Sequence, residues 1–127
     1  MSHCDCDWEA NGTWEDISSS WHRARKERRC DECGLTIRKG DRYHRTVGKW
    51  EGDLVTNAIC ALCTRINVAH WNGIHAARKA VRERGEYSSY EGYVIGELRC
   101  AVACMVKCEP AYLVAFRQSW HEQKAAA

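Results

Sequence analysis

Two pairs of cysteines with the same spacing carry the clearest chemistry in this sequence. Cys30 and Cys33 form one Cys-x-x-Cys pair, and Cys60 and Cys63 form the other. Zinc prefers four soft ligands in a tetrahedron, and each pair can supply two thiolates from one tight turn. The two pairs together therefore predict a structural zinc site with four sulfur ligands.

The residues around each pair suit this chemistry. Gly34 follows the first pair, where a positive φ angle would let backbone N–H groups turn toward the sulfurs. The second pair is predicted to open a helix, where free N–H groups and the helix dipole stabilise thiolates. Between the pairs, the sequence predicts strands with turns at residues 39–41 and 50–53.

A knuckle, a hairpin and a helix whose first turn closes the site follow one another in this order. Over residues 30–70 this order resembles that of the treble-clef zinc fingers. The segment "ARKERRCDECGLTIRKGDRYHRTVGKWEGDLVTNAICALC", preceded by an N-terminal Cys-x-Cys, also resembles a group of small, uncharacterised phage and prophage proteins. That second resemblance implies a phage accessory protein and assigns no activity to it.

Five more cysteines lie near the two ends of the chain: Cys4, Cys6, Cys100, Cys104 and Cys108. The last three recur every four residues, which places them on one face of a predicted helix. A second zinc site would use Cys4 and Cys6 with two of these three, Cys100 and Cys104 being the preferred pair. The alternative is that the helical cysteines are small core residues and that Cys4 and Cys6 belong to a loose tail. The predicted cofactor is Zn²⁺, with one ion per chain, or two if the second site forms.

Composition limits the class of protein. The chain has 127 residues, of which 45% are hydrophobic and 28% are charged, as expected for one globular domain. No apolar run approaches the roughly 20 residues that span a bilayer. The N-terminal residues lack the features of a signal peptide, and nine cysteines indicate metal ligands in a reducing compartment. The predicted location is the cytoplasm, that of the host if a phage encodes the chain.

The predicted fold is a small α+β domain over residues 1–127, a treble clef followed by a helical pack. It comprises an acidic N-terminal arm at 1–20, the treble-clef core at 30–70 and the helical pack at 74–124. Serines 18–20 predict the start of a short basic helix that ends before Cys30. Further helices are predicted from Cys60 onward, over about 74–84, over about 90–108, and from Pro110 to the C-terminal region.

Charge is concentrated between residues 22 and 49. This segment contains ten Lys and Arg residues and four acidic residues. Residues 1–16, in contrast, contain five acidic residues and no Lys or Arg. This basic stripe predicts contacts to DNA or RNA, with Trp21 and Trp50 as stacking surfaces. The predicted contact residues are Arg23, Arg25, Lys26, Arg28, Arg29, Arg42 and Arg45. The alternative is a solvated basic face that balances the acidic arm and the zinc thiolates.

Two other functions compete with nucleic-acid binding. Six tryptophans in so short a chain fit a protein-binding inhibitor or adaptor that acts on a host complex. An HNH-like nuclease is the weaker alternative, because a zinc ion with four thiolates has no open position for water. Its candidate residues would be His44, Asn57, Asn67 and His70, and they lack the expected spacing. The sequence thus predicts a binding protein without catalytic residues, and nothing in it specifies the oligomeric state.

Overall fold

The computed structural model of the chain describes residues 14–86 and 95–126, which form a small α+β protein. The chain divides into two compact units, and the division falls after Thr64. Within the described ranges the strands are β1 (Trp14–Arg23), β2 (Arg28–Arg29), β3 (Thr36–Ile37), β4 (Arg42–Trp50) and β5 (Asp53–Cys60). The helices there are α1 (Ala61–Glu83), α2 (Leu98–Cys108) and α3 (Pro110–Ala126).

An antiparallel sheet of three strands, in the order β1-β4-β5, forms the larger part of the first unit. β4 and β5 are joined by the two-residue loop Glu51-Gly52, and both loop residues have positive φ angles of 51° and 87°. Two successive positive φ angles match the right-handed twist of a hairpin, and glycine adopts one of them without steric cost. The turn predicted at residues 50–53 is therefore confirmed.

A second, two-stranded sheet carries the first cysteine pair. β2 pairs with β3 in antiparallel register, with Arg28 opposite Ile37, and the chain between them contains Cys30 and Cys33. The buried core of this unit consists of Ala24, Cys30, Ile37, Tyr43 and Cys63. The cysteines are thus part of the core itself rather than attached to a separately packed one.

The predicted basic helix before Cys30 is wrong, because this segment forms β1 and then β2. Serines 18–20 lie within β1 and pair with β4 instead of capping a helix. Local helix preference is weak, and pairing with an adjacent strand readily overrides it. Trp21 lies opposite His44 in this pairing, and their rings meet edge to face at 5.2 Å between centroids.

The helix prediction is partly correct for the second unit. α1 is continuous from Ala61 to Glu83, so the separate helix predicted over 74–84 is wrong. α2 begins at Leu98 instead of near residue 90, and residues 87–94 lie outside the described part of the chain. α3 begins at Pro110 as predicted. None of the helices in the described ranges has the length and apolar character needed to cross a membrane.

Side-chain contacts show that α1 and α3 run antiparallel to each other. Near the start of α1, the Arg65 guanidinium lies 3.5 Å from the centre of the Trp120 ring and donates to the Trp120 carbonyl. Near the end of α1, Arg84 forms a two-pronged ion pair with the buried Glu109, the shorter contact being 3.0 Å. Tyr112, fully buried between these two ends, hydrogen-bonds to Nδ1 of His70 at 2.6 Å. These contacts make the second unit a helical pack with its own core.

Gly73 explains why α1 does not break in its middle. A Cβ atom at this position would lie 2.6 Å from two carbons of the buried Tyr112 ring. Glycine therefore serves close packing between α1 and α3 and does not mark a helix end. The sequence pattern alone does not distinguish these two uses of glycine.

Gly73→Ala is expected to destabilise the second unit. In the interior of a helix, alanine is more favourable than glycine by up to about 1 kcal/mol. Overpacking a buried site costs roughly 1–3 kcal/mol, and the Tyr112 ring has no room to move aside. Thermal unfolding followed by circular dichroism should therefore show a lower midpoint. In a Tyr112→Leu background, which removes the ring, the same substitution should be neutral or stabilising, and an equal loss in both backgrounds would contradict this packing role.

Candidate metal centre and basic cleft

The four cysteines of the two Cys-x-x-Cys pairs converge on one point. Their sulfur atoms all lie within 4.8 Å of one another, and Cys33 Sγ lies 3.9 Å from Cys60 Sγ. Four thiolates around a zinc ion at about 2.3 Å would have sulfur–sulfur separations of about 3.8 Å. Among the described residues, this is the one group of potential ligands close enough to share a metal ion. The cluster is consistent with a zinc-binding site, as the spacing of the cysteines predicts.

Backbone N–H groups point at the sulfurs from both pairs. The N–H of Cys33 and that of Cys60 donate to Cys30 Sγ, at 3.5 and 3.3 Å. The N–H of Cys63, in the first turn of α1, donates to Cys60 Sγ at 3.4 Å. Gly34 has the predicted positive φ angle, 76°, and donates its N–H to the Cys30 carbonyl at 2.8 Å. These donors stabilise negative charge on sulfur, which a metal site of this kind requires.

Asp31 holds the knuckle against the end of β5. Its N–H donates to the Ala58 carbonyl at 2.8 Å, and its carboxylate accepts the Ala58 N–H at 2.7 Å. This reciprocal pair fixes Cys30 relative to Cys60, although the two are 30 residues apart in sequence. The sequence analysis did not identify this role. Its only trace in the sequence is a short acidic side chain directly after the first cysteine.

The thiols of the cluster differ in acidity. Burial is the main cause that raises the pKa of Cys63, followed by hydrogen bonds with Cys60 and Cys33 and by the charge of its neighbours. Burial also raises the pKa of Cys60. At Cys33 burial acts in the same direction, but the hydrogen bond from the Leu35 N–H and those with the other cysteines outweigh it, so the pKa is lowered. A bound dication would favour the thiolate form at all four positions, so metal binding should release protons.

The structure describes three of the five cysteines outside the four-sulfur cluster. Cys4 and Cys6 lie outside the described residues, so the four-cysteine second site remains a prediction. On α2, Cys100 is exposed, Cys104 is buried and disulfide-bonded, and Cys108 is half-buried. A disulfide sulfur is not a thiolate donor, so a second zinc site that uses Cys104 requires the reduced form.

The residues considered for a nuclease are spread over several elements. His44 lies on β4 and Asn57 on β5, whereas Asn67 and His70 lie on α1. His70 is fully buried and hydrogen-bonded to Tyr112, and burial lowers its pKa to about 4. Neither histidine belongs to a cluster of His, Cys, Asp or Glu side chains in the described residues that could hold a metal ion.

The strongest concentration of positive charge surrounds one cleft of about 540 Å³. We call it the basic cleft, and its lining residues are His22, Arg23, Arg25, Lys26, Arg28, Tyr43 and Arg45. The residues come from the end of β1, the following loop, β2 and β4. Within residues 14–86 and 95–126, no carboxylate lines the cleft. The pairing of β1 with β4 brings His22 opposite Tyr43, and this brings residues far apart in sequence to one place.

Two lining arginines are held by contacts within the cleft. The Arg28 guanidinium lies over the Tyr43 ring at 4.9 Å, and its buried Nε has no hydrogen-bond partner among the described atoms. Arg23 donates to the Gly40 carbonyl at 3.1 Å. None of the residues in the ion pairs Lys79–Glu83, Arg84–Glu86 and Arg84–Glu109 lines the basic cleft.

The structure brings together five of the seven residues predicted to contact nucleic acid. Arg29 and Arg42 do not line the basic cleft. Arg42 instead places its guanidinium 4.8 Å from the centre of the Trp21 ring. His22 and Tyr43 line the cleft although the sequence analysis did not select them. Only the strand register, which the sequence analysis did not predict for β1, places them there.

Comparison with protein-family models, curated proteins and solved structures gives no match to this chain. The functional argument therefore depends on the geometry of the cysteine cluster and of the basic cleft.

Proposed function

We propose that this protein is a zinc-stabilised binding module of treble-clef type that contacts nucleic acid through the basic cleft. The observation that carries the proposal is the convergence of five Arg and Lys side chains on a cleft that no carboxylate of the described residues lines. Holding like charges together costs free energy, and a bound polyanion recovers it. The role is binding and not catalysis, since a zinc ion with four thiolates has no open position for water.

Zinc is the metal that best fits the cluster. Four thiolates at these separations match tetrahedral zinc coordination, and zinc commonly occupies closed structural sites of this composition. The order of elements supports the treble-clef assignment: a knuckle between β2 and β3, the β4–β5 hairpin, then α1 with Cys63 in its first turn. An accessory role in a phage is the function that the sequence resemblance adds to this proposal.

The metal centre and the basic cleft share structural elements. Tyr43 lines the cleft and also belongs to the buried core that contains Cys30 and Cys63. Ala24, in the same core, receives a hydrogen bond from Gly40 and donates one to the Asp41 carbonyl. These bonds fix the loop that carries Arg25 and Lys26. The metal is thus proposed to stabilise the surface that binds nucleic acid, without contacting the ligand.

A titration with labelled DNA and RNA, single-stranded and duplex, at low and moderate salt tests the proposal. Binding is expected at low salt, and log K should fall linearly with log salt because each neutralised phosphate releases counterions. Treatment with a chelator should abolish the binding. If no nucleic acid binds at low salt, the proposed function is wrong.

A further inference from the structure

The size of the basic cleft restricts what can enter it. Its volume of about 540 Å³ corresponds to a cube with sides of about 8 Å. Duplex DNA presents two rows of phosphates on a rigid cylinder, separated by grooves about 6 and 12 Å wide. A cleft of this size has room for the phosphates of one backbone.

A stacking surface is adjacent to the cleft residues along β1, but on the opposite face of the sheet. Trp21 precedes His22 and Arg23, which line the cleft, and its side chain is 44% exposed. Successive side chains on a strand point to opposite faces, so Trp21 lies on the other face of the sheet from His22. β1 is the edge strand of its sheet. A ligand that crosses the edge near Trp21 can therefore contact both the cations on one face and the indole on the other.

The Trp21 ring is held in position before any ligand binds. Arg42 lies over it at 4.8 Å, and His44 contacts it edge to face. Burial lowers the pKa of His44, so its imidazole is uncharged at neutral pH. An aromatic ring fixed in this way, with part of its surface exposed, offers a base a platform without the cost of ordering the side chain.

From these observations we infer that the protein selects single-stranded nucleic acid, with backbone phosphates in the basic cleft and one base stacked on Trp21. The inference rests on the proposed function and specifies its substrate class. A flexible single strand can turn across the edge of β1, whereas a duplex is too stiff to do so over a few residues.

Fluorescence anisotropy with a short labelled oligonucleotide, as a single strand and as a duplex of the same sequence, tests the inference. The wild-type protein should bind the single strand about tenfold or more tightly. Trp21→Ala should weaken single-strand binding by about tenfold, as expected for one lost stacking contact, and leave duplex binding unchanged. Trp21→Phe should retain most of the affinity, because phenylalanine preserves an aromatic face.

Trp50→Ala provides the control: Trp50 was also predicted as a stacking surface, but it is half-buried at the other end of β4 and does not line the cleft. It should leave the preference for single strands intact. Circular dichroism melts of all variants separate loss of binding from loss of folding. Equal affinity for both ligands, or equal effects of Trp21→Ala on both, would overturn the inference while leaving the proposed function standing. Absence of all nucleic-acid binding would overturn both.

Discussion

Replacing Cys33 with serine is expected to abolish metal binding and to unfold the residues around the knuckle. Structural zinc sites contribute apparent binding free energies of about 10–16 kcal/mol at neutral pH, which equals or exceeds the whole stability of a typical domain. The cysteines of this cluster also belong to the buried core of their unit, so little apolar packing remains if the metal is lost. Metal analysis and circular dichroism melts of the variant measure both effects.

Cys100→Ser is the control for this substitution. Cys100 is an exposed cysteine on α2 and does not belong to the four-sulfur cluster. Its replacement should leave the metal bound by the cluster in place, and the melting temperature should change little. Retention of metal and of the wild-type melting temperature in Cys33→Ser would show that the cluster does not hold the unit together.

Removing three cations of the basic cleft should have the largest effect on binding. Arg25, Lys26 and Arg45 are exposed and line the cleft, so a triple alanine variant should fold normally. On a single strand, each lost phosphate contact lowers the slope of log K against log salt by about 0.7. Three lost contacts should therefore lower the slope by about 2.1 and weaken binding for all base sequences alike.

A second triple variant separates the cleft from general charge. Arg29, Lys39 and Lys49 are exposed, lie in the same unit and do not line the cleft. Their replacement by alanine removes the same charge and should have a much smaller effect on the salt slope. Equal loss of affinity in both variants would mean that overall charge, and not the basic cleft, determines binding.

The cysteine cluster could be predicted from the sequence because its chemistry is local. Each Cys-x-x-Cys pair fixes two ligands within one turn, and zinc has few ways to join two such pairs. The strand signals between the pairs were equally clear, with a Gly in each turn. The hairpin and the helix that follows it therefore agree with the sequence prediction.

The failures come from tertiary packing. The residues of β1 carry plausible helix caps and no strong strand pattern, and only pairing with β4 makes them a strand. The sequence predicted two helices where α1 is continuous, and Gly73 lies inside α1 with the Tyr112 ring packed against it. The composition of the basic cleft depends on the register of β1 against β4. For this reason the sequence analysis counted Arg29 and Arg42 among the contact residues, although they do not line the cleft. It did not select His22 and Tyr43, which do line the cleft.

X-ray absorption at the zinc edge, on protein purified without chelator, tests the central claim most directly. The expected result is bound zinc with a first shell of four sulfur atoms at about 2.3 Å. The zinc held by Cys30, Cys33, Cys60 and Cys63 should be lost when Cys33 and Cys60 are both replaced by serine. Protein without zinc, or a first shell containing nitrogen or oxygen, would contradict a four-thiolate zinc site at this cluster.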